Sequence, residues 1–443
     1  MQRLTALGNS LGNFYRTHQS AFTTFVLLAA ERVLQMFIGL WIASQIARNF
    51  DQATFAHWQI AMSLWFVFGN ISGITGERVI LPSIYATKPK DYPTLWNTAI
   101  AAKLISGLLA AVPLLLWAST MPDRQILALC MLWSLQLMIS QVVSMGIHEA
   151  YARDNFRSPQ IARITGMSCR LLIATLLLWF GAPVTWLVWG WIIEICVMGL
   201  FLCRHWIADR LFKPRLVDWA MMRRMFAQGA ALTVASVASV ALTRVDRISL
   251  GKSMPTEVLS QYAAAMTLLE AAFAFATMLA TIFGAKVLFR PGPINPRHHA
   301  GIAGFAAGIA LVVTMALYMV AEPLMTTIYG PDYLQSAHYL RIAVGLLPLV
   351  FLQSILQAPL IARASKRFHL IKATTAFVVG ATIATIAAHL EQYDWISAGA
   401  YAGYLVLILF DLGQLLRRAK DIYGSGATDA APSNTAEPHR ENA

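Results

Sequence analysis

Three ionisable residues fall within four positions, Arg244, Asp246 and Arg247, at the end of an apolar run from Phe226 to Leu250. In a run long enough to cross a bilayer, each such charge costs roughly 2.5–3.5 kcal/mol on insertion scales. Intramembrane charges therefore face a polar interior or an interface, and they mark function. Glu31, Arg32, Lys103, Arg170, Glu194, Glu270, Arg341 and Asp411 also lie within apolar runs. Arg244 and Arg247 are three apart and share a helix face. A planar guanidinium donates two parallel hydrogen bonds and suits phosphate oxygens. Arg32, Lys103, Arg170, Arg244 and Arg247 thus make a candidate substrate-binding set around a cationic cavity, fit for an amphiphile with an anionic head. Glu31, Glu194, Asp246 and Glu270 either balance those cations or bind a coupling ion, H+ or Na+. Arg341 and Asp411 lie near the ends of their runs and read as interface residues.

No other chemistry has its pattern. Cys130, Cys169, Cys196 and Cys203 sit in apolar runs with no CxxC or metal spacing. Neither His148-Glu149 nor His298-His299 belongs to an HExxH, and both read as loop histidines. There is no Walker A or nucleophile elbow. The expectation is a non-enzyme without metal or cofactor.

The elements that must position these charges are membrane helices. The 443 residues are 57% hydrophobic and 13% charged, against about 25% charged in soluble domains. About twelve runs are long enough to span, from Ala21–Ile46 to Trp395–Leu416, so the fold class is all-α and polytopic. Most of the 34 basic residues fall in alternate loops, while the intervening loops hold Arg48, Arg124 and Lys252. That bias places both termini in the cytoplasm. It also accounts for the net charge of +12 without nucleic acid, for which no reader motif is present.

The chain divides into an amphipathic N-terminus (1–20), a six-helix lobe (21–204), a cytoplasmic loop (205–225), a second six-helix lobe (226–418) and a disordered tail (419–443). The halves repeat. Residues 47–64 align without gaps on 251–268 at an offset of 204, matching Trp58 with Tyr262 and Met62 with Met266. Ala152-Arg153 and Arg157 align on Ala362-Arg363 and Arg367 at an offset of 210. Six spans per half give parallel repeats, with a site between them. Gly69xxxGly73, Gly304xxxGly308 and Gly399xxxGly403 read as small-residue helix contacts.

Several stretches resemble a family. Asp246-Arg247 with Leu250-Gly251, Glu322-Pro323-Leu324, Ile328-Tyr329-Gly330-Pro331-Asp332-Tyr333 with Ala337 and Leu340-Arg341, and Ala362-Arg363 with Lys366-Arg367 are similar to Wzx-type oligosaccharide flippases. These belong to the multidrug/oligosaccharidyl-lipid/polysaccharide (MOP) exporter superfamily. The resemblance covers about residues 20–418. Ser260-Gln261-Tyr262 departs from the family's Gly-x-Tyr, and twelve spans depart from the fourteen of its peptidoglycan-precursor branch. The resemblance implies two lobes around a V-shaped cavity and alternating access in the bacterial inner membrane. Its implied cargo is a polyprenyl-pyrophosphate-linked oligosaccharide for surface or exopolysaccharide assembly. The implied partners are membrane lipids, a polysaccharide polymerase and glycosyltransferases. Two alternatives stand beside it: a cation-coupled drug exporter of the same superfamily, and a membrane-embedded glycan polymerase or ligase.

Overall fold

The computed structural model describes residues 30–209, 213–251, 254–283 and 294–423, all helix, turn or loop with no strand among them. Ten helical segments are long and apolar enough to cross a membrane. The helix over 30–49 and Gln52–Gly69 bring the bundle to roughly twelve spans. The chain is a multi-pass, all-α membrane protein. The first lobe contains α1 (30–49), α2 (Gln52–Gly69), α3 (Glu77–Ala86), α4 (Tyr92–Ser119), α5 (Arg124–Ala152), α6 (Arg157–Trp179) and α7 (Val188–Asp209). The second begins with α8 (Trp219–Leu242), α9 (Val245–Leu250), α10 (Thr256–Phe283) and α11 (Pro296–Met319). It continues through α12 (Ala321–Tyr329), α13 (Ser336–Ala343), α14 (Leu346–Arg363), α15 (Lys366–His389), α16 (Ser397–Arg417) and α17 (Ala419–Tyr423).

The packing repeats as the sequence does. α4 packs on α5, α5 on α7 and α6 on α7; in the second lobe α11 packs on α14, α14 on α16 and α15 on α16. α4 and α11 start 204 residues apart (296 − 92 = 204), and α6 and α15 start 209 apart (366 − 157 = 209). The lobes meet where α2 packs on α10 and where α8 packs on the 3-10 turn Asn70–Thr75. At the second contact a Cβ on Gly229 would sit 1.9 Å from the Ile74 carbonyl oxygen, so only glycine admits this approach. Apolar side chains remain exposed along the outside, for example Leu311, Val312 and Met315 on α11, as a lipid-facing helix requires.

Several expected boundaries shift. α7 runs to Asp209 and α8 starts at Trp219, so the connection expected over 205–225 is shorter. The Asp218 side chain accepts from Ala220 N at 2.8 Å and caps α8. The single span expected over Phe226–Leu250 is two helices broken at Thr243-Arg244. Residues 419–423, expected in a disordered tail, form α17. Its Ile422 is fully buried, its Ile422 carbonyl accepts from Ile294 N at 2.7 Å, and its Tyr423 hydroxyl bonds His299 Nδ1 at 2.7 Å. His299 and His148 are therefore buried helix residues and not loop histidines. The rest of that tail and the N-terminus 1–20 lie outside the described residues. Gly399 and Gly403 do lie at a close contact, facing Gly380 and Leu242, whereas a Cβ on Gly304 or Gly308 would meet nothing within 4 Å.

Candidate functional site

The break between α8 and α9 brings their charges to α10. Inside a membrane the backbone groups freed by a break need partners. Asp246 Oδ1 accepts the Arg247 N–H at 2.7 Å, and Arg247 Nη2 donates to the Thr243 carbonyl at 3.3 Å. Asp246 Oδ2 accepts from the Tyr262 hydroxyl at 2.6 Å. Glu270, midway along α10, then takes both arginines: Oε1 pairs with Arg247 Nη2 and Oε2 with Arg244 Nη2. Arg247 is 0% exposed, so it does not snorkel to an interface. The Arg244 guanidinium lies 4.4 Å from the ring centroid of Phe66 on α2. Glu270 and Phe66 are repeat-equivalent (270 − 66 = 204). Arg244 thus sits between matching positions of the two lobes, paired with one and stacked on the other.

A cavity of about 170 Å³ opens beside Arg244. α1 supplies Gln35 and Met36, α2 supplies Trp58 and Gln59, α7 supplies Trp191, and α10 supplies Thr267 and Glu270. Trp58 and Trp191 belong to an aromatic cluster with Trp133, at centroid distances of 5.7 Å (Trp58–Trp191) and 5.1 Å (Trp133–Trp191). The wall therefore combines flat aromatic faces, amides and a paired guanidinium.

The five basic residues expected around a cationic cavity are not assembled there. Arg244 lines it, and the other ionisable residue of the lining, Glu270, carries the opposite charge. Arg247 is fully buried behind Glu270. Arg170 donates to Glu194 Oε2 at 2.8 Å, with its guanidinium 4.7 Å from the Trp191 centroid. Arg32 is exposed and donates to Gln35 Oε1 at 3.3 Å. Lys103 is buried in α4 and does not line the cavity. For Arg170, Arg244 and Arg247 the physical reason is the cost of a lone buried charge: each guanidinium has drawn in a carboxylate.

The carboxylates follow the same rule. Glu31, 1% exposed, accepts from Arg163 Nη1 at 2.7 Å. Arg163, which the alternation of basic loops would count as a cytoplasmic cation, thus pairs with a buried carboxylate of the bundle. Its repeat equivalent is Lys372 (163 + 209 = 372), which donates to Asp411 Oδ1 at 2.8 Å. Asp411 is 0% exposed and is not an interface residue. Arg341 pairs with Glu322 at 2.9 Å.

One end of the bundle is latched shut between the lobes. Ser44 Oγ donates to the Ile328 carbonyl. Arg48 donates to the same carbonyl through Nε at 2.9 Å, and to the Thr327 carbonyl through Nη2. From α2, Gln52 reaches the Asp332 carbonyl across the lobes at 3.3 Å, and within the second lobe Gln261 donates to the same carbonyl at 2.7 Å and holds the turn. Phe55 packs edge-on to Tyr329 and Tyr333. The receiving turn depends on Gly330, at φ +106°. The Ser44–Arg48 segment thus meets this Gly-Pro-Asp-Tyr turn.

A family model described as polysaccharide biosynthesis protein matches residues 83–289. Among solved structures, the lipid II flippase MurJ in an inward closed conformation superposes with TM-score 0.74 at 14% identity, covering 89% of this chain and 87% of MurJ. An inward-facing multidrug resistance MATE family transporter of the MOP superfamily superposes with TM-score 0.66 at 12% identity, over 88% and 96%. The chain has the fold shared by these two structures. A MOP superfamily transporter from Pyrococcus furiosus, titled for the reversed polarity of its binding pocket, matches with TM-score 0.52 at 13% identity over 90% and 96%. No curated protein sequence matches the chain. The MOP proteins it superposes on are flippases and transporters, not enzymes.

Sequence reasoning missed the cavity's aromatic wall. It placed Trp96, Trp117, Trp179, Trp186, Trp206 and Trp395 at span ends as anchors; Trp117, Trp179, Trp186 and Trp395 are exposed, whereas Trp96 is buried and the Trp206 side chain lies outside the described residues. Trp58, Trp133 and Trp191 instead lie within the bundle. For Trp133 and Trp191 the distance from the ends of their runs was the available signal, since a tryptophan far from the headgroups has no interface to anchor.

Proposed function

We propose that the chain is a flippase that moves a lipid-linked oligosaccharide between membrane leaflets by alternating access. One observation carries the reading: the inter-lobe cavity joins Arg244, a donor for phosphate oxygens, to aromatic faces and amides that suit sugar rings and hydroxyls. The family description over residues 83–289 supports polysaccharide assembly as the pathway class. In this reading the latched end is the outer one, the lipid tail stays in the bilayer, and H+ or Na+ drives the cycle. A polysaccharide polymerase and glycosyltransferases are its working partners in the bacterial inner membrane. A cation-exporting drug pump is less well served, because the cavity carboxylate Glu270 is already shared by two arginines. The test is flipping of a fluorescent lipid-linked oligosaccharide in proteoliposomes. The unaltered protein should move it and Arg244→Ala should not. Equal flipping by both proteins would remove Arg244 from the mechanism.

A further inference from the structure

Glu270 occupies an unusual position. It is the carboxylate in the cavity lining, and both of its oxygens are taken by guanidiniums, Arg244 on one and Arg247 on the other. The two arginines have donors to spare. Arg247 Nε and Nη1 are buried without a hydrogen-bond acceptor, and the nearest Asp246 oxygen is 3.8 Å from Nε, too far for a hydrogen bond. A guanidinium offers five N–H groups. Arg247 uses one nitrogen, Nη2, for Glu270 and the Thr243 carbonyl. Buried donors of this kind are normally satisfied, and an orphan needs an explanation. A carboxylate has too few oxygens for this site. A phosphate or pyrophosphate has more, and it carries charge enough to hold two arginines without help.

We infer that the anion site of this cavity is self-occupied: Glu270 holds the place that a phosphate or pyrophosphate takes on Arg244 and Arg247, and the ligand enters by displacing it. The inference rests on the flippase reading for its ligand class. The displaced carboxylate has somewhere to go. Thr267 lies one turn away on the same face of α10, and the amides of Gln35 and Gln59 line the same space. The exchange also serves turnover. The formal charges of Arg244 and Arg247 are balanced internally by Asp246 and Glu270. Each bound ligand competes with an internal group that restores the empty state on release. Affinity is set by the difference between the two anions, not by the arginines alone.

The experiment uses the full chain purified in detergent, inorganic pyrophosphate as the probe, and intrinsic fluorescence from Trp58 and Trp191 in the cavity wall. Glu270→Gln keeps the shape and removes the competing charge, and it should bind pyrophosphate about tenfold tighter than the unaltered protein or better. Arg244→Ala on that background should abolish the gain. A folded Glu270→Gln protein that binds no tighter overturns the inference. If that variant fails to fold, Glu270→Asp takes its place: its shorter arm loosens the pair, so tighter binding supports the inference and unchanged binding overturns it. Flipping by the unaltered protein tests the flippase reading separately. Tighter binding without flipping would keep the self-occupied site and remove the flippase, and flipping without tighter binding would do the reverse.

Discussion

Arg170 and Glu194 form a pair whose role can be separated from substrate binding. Arg170 Nη1 lies 2.8 Å from Glu194 Oε2, and the side chains are 6% and 10% exposed. α6 and α7 approach closely enough because each presents a glycine one turn before its charge. A Cβ on Gly166 would meet the Glu194 carbonyl at 2.9 Å, and one on Gly190 would meet Arg170 Cγ at 3.2 Å. Removing one partner leaves a buried charge uncompensated, at about 3–5 kcal/mol, whereas replacing both with apolar residues of similar volume is near neutral. Arg170→Met and Glu194→Met should each lower the thermal midpoint in detergent strongly, and the double variant should recover most of the loss. If Arg170 acts only by holding α6 to α7 beneath Trp191, the double variant should also flip lipid-linked oligosaccharide in proteoliposomes. A double variant as unstable as either single one would refute the pairing argument. A stable double variant with no flipping would return Arg170 to the substrate-binding set.

Arg48→Ala removes two charge-assisted hydrogen bonds across the latch, each worth about 1.5–3 kcal/mol. It should raise labelling of a cysteine placed at Thr267 by an impermeant thiol reagent added from the latched side, in a background lacking the four native cysteines; unchanged labelling would exclude the latch as a gate. Gly229→Ala drives a Cβ into the Ile74 carbonyl and should reduce folded yield in fluorescence-detected size exclusion, while Gly304→Ala, with open space around it, should be neutral or gain up to about 1 kcal/mol of helix propensity. Phe66→Ala removes a cation–π contact worth about 0.5–2 kcal/mol and should lower the flipping rate without changing protein level, as read on matched proteoliposomes.

Fold was legible in the chain because its signals are long and repeated. Hydrophobic runs of span length set the helices, and the offsets of 204 and 210 reappear as helix starts 204 and 209 apart. The site was legible only as an inventory. A sequence shows that Arg244, Arg247 and Glu270 are intramembrane, but not that one carboxylate serves two arginines, because that depends on the helix break at Thr243. No proline or glycine marks this break. Its compensation comes from Asp246 and Arg247 themselves. Arg163 and Lys372 were hidden for a different reason: basic residues six positions inside a helix start look like loop charges until Glu31 and Asp411 are seen opposite them. The latch was hidden because its acceptors are backbone carbonyls, which no residue type announces.

The distribution of strong and weak contacts bears on how such a molecule moves. Every ion pair among the described residues lies within one lobe. Glu31–Arg163 and Arg170–Glu194 are internal to the first, and Glu270 with its arginines and Lys372–Asp411 to the second. Contacts between the lobes are of another kind. They include side chain to carbonyl hydrogen bonds at the latch, the Ser236–Asn70 hydrogen bond at 3.1 Å, edge-on aromatics around Phe55, Arg244 over Phe66, the glycine contact at Ile74, and apolar packing such as Met222 and Met225 of α8 against Val79 and Leu95. Breaking a buried ion pair costs about 3–5 kcal/mol. A neutral hydrogen bond or an aromatic edge contact costs about 0.5–1.5 kcal/mol and each charge-assisted Arg48 bond about 1.5–3 kcal/mol, and water can replace the hydrogen bonds as the gap opens. Rigid-body rocking of one lobe on the other would therefore leave these ion pairs intact and break contacts that water or lipid can replace. A mechanism that unwound a lobe would have to do the opposite. The ion pairs therefore fix the shape of each lobe, and under the proposed alternating access the movement would fall on the seam between them.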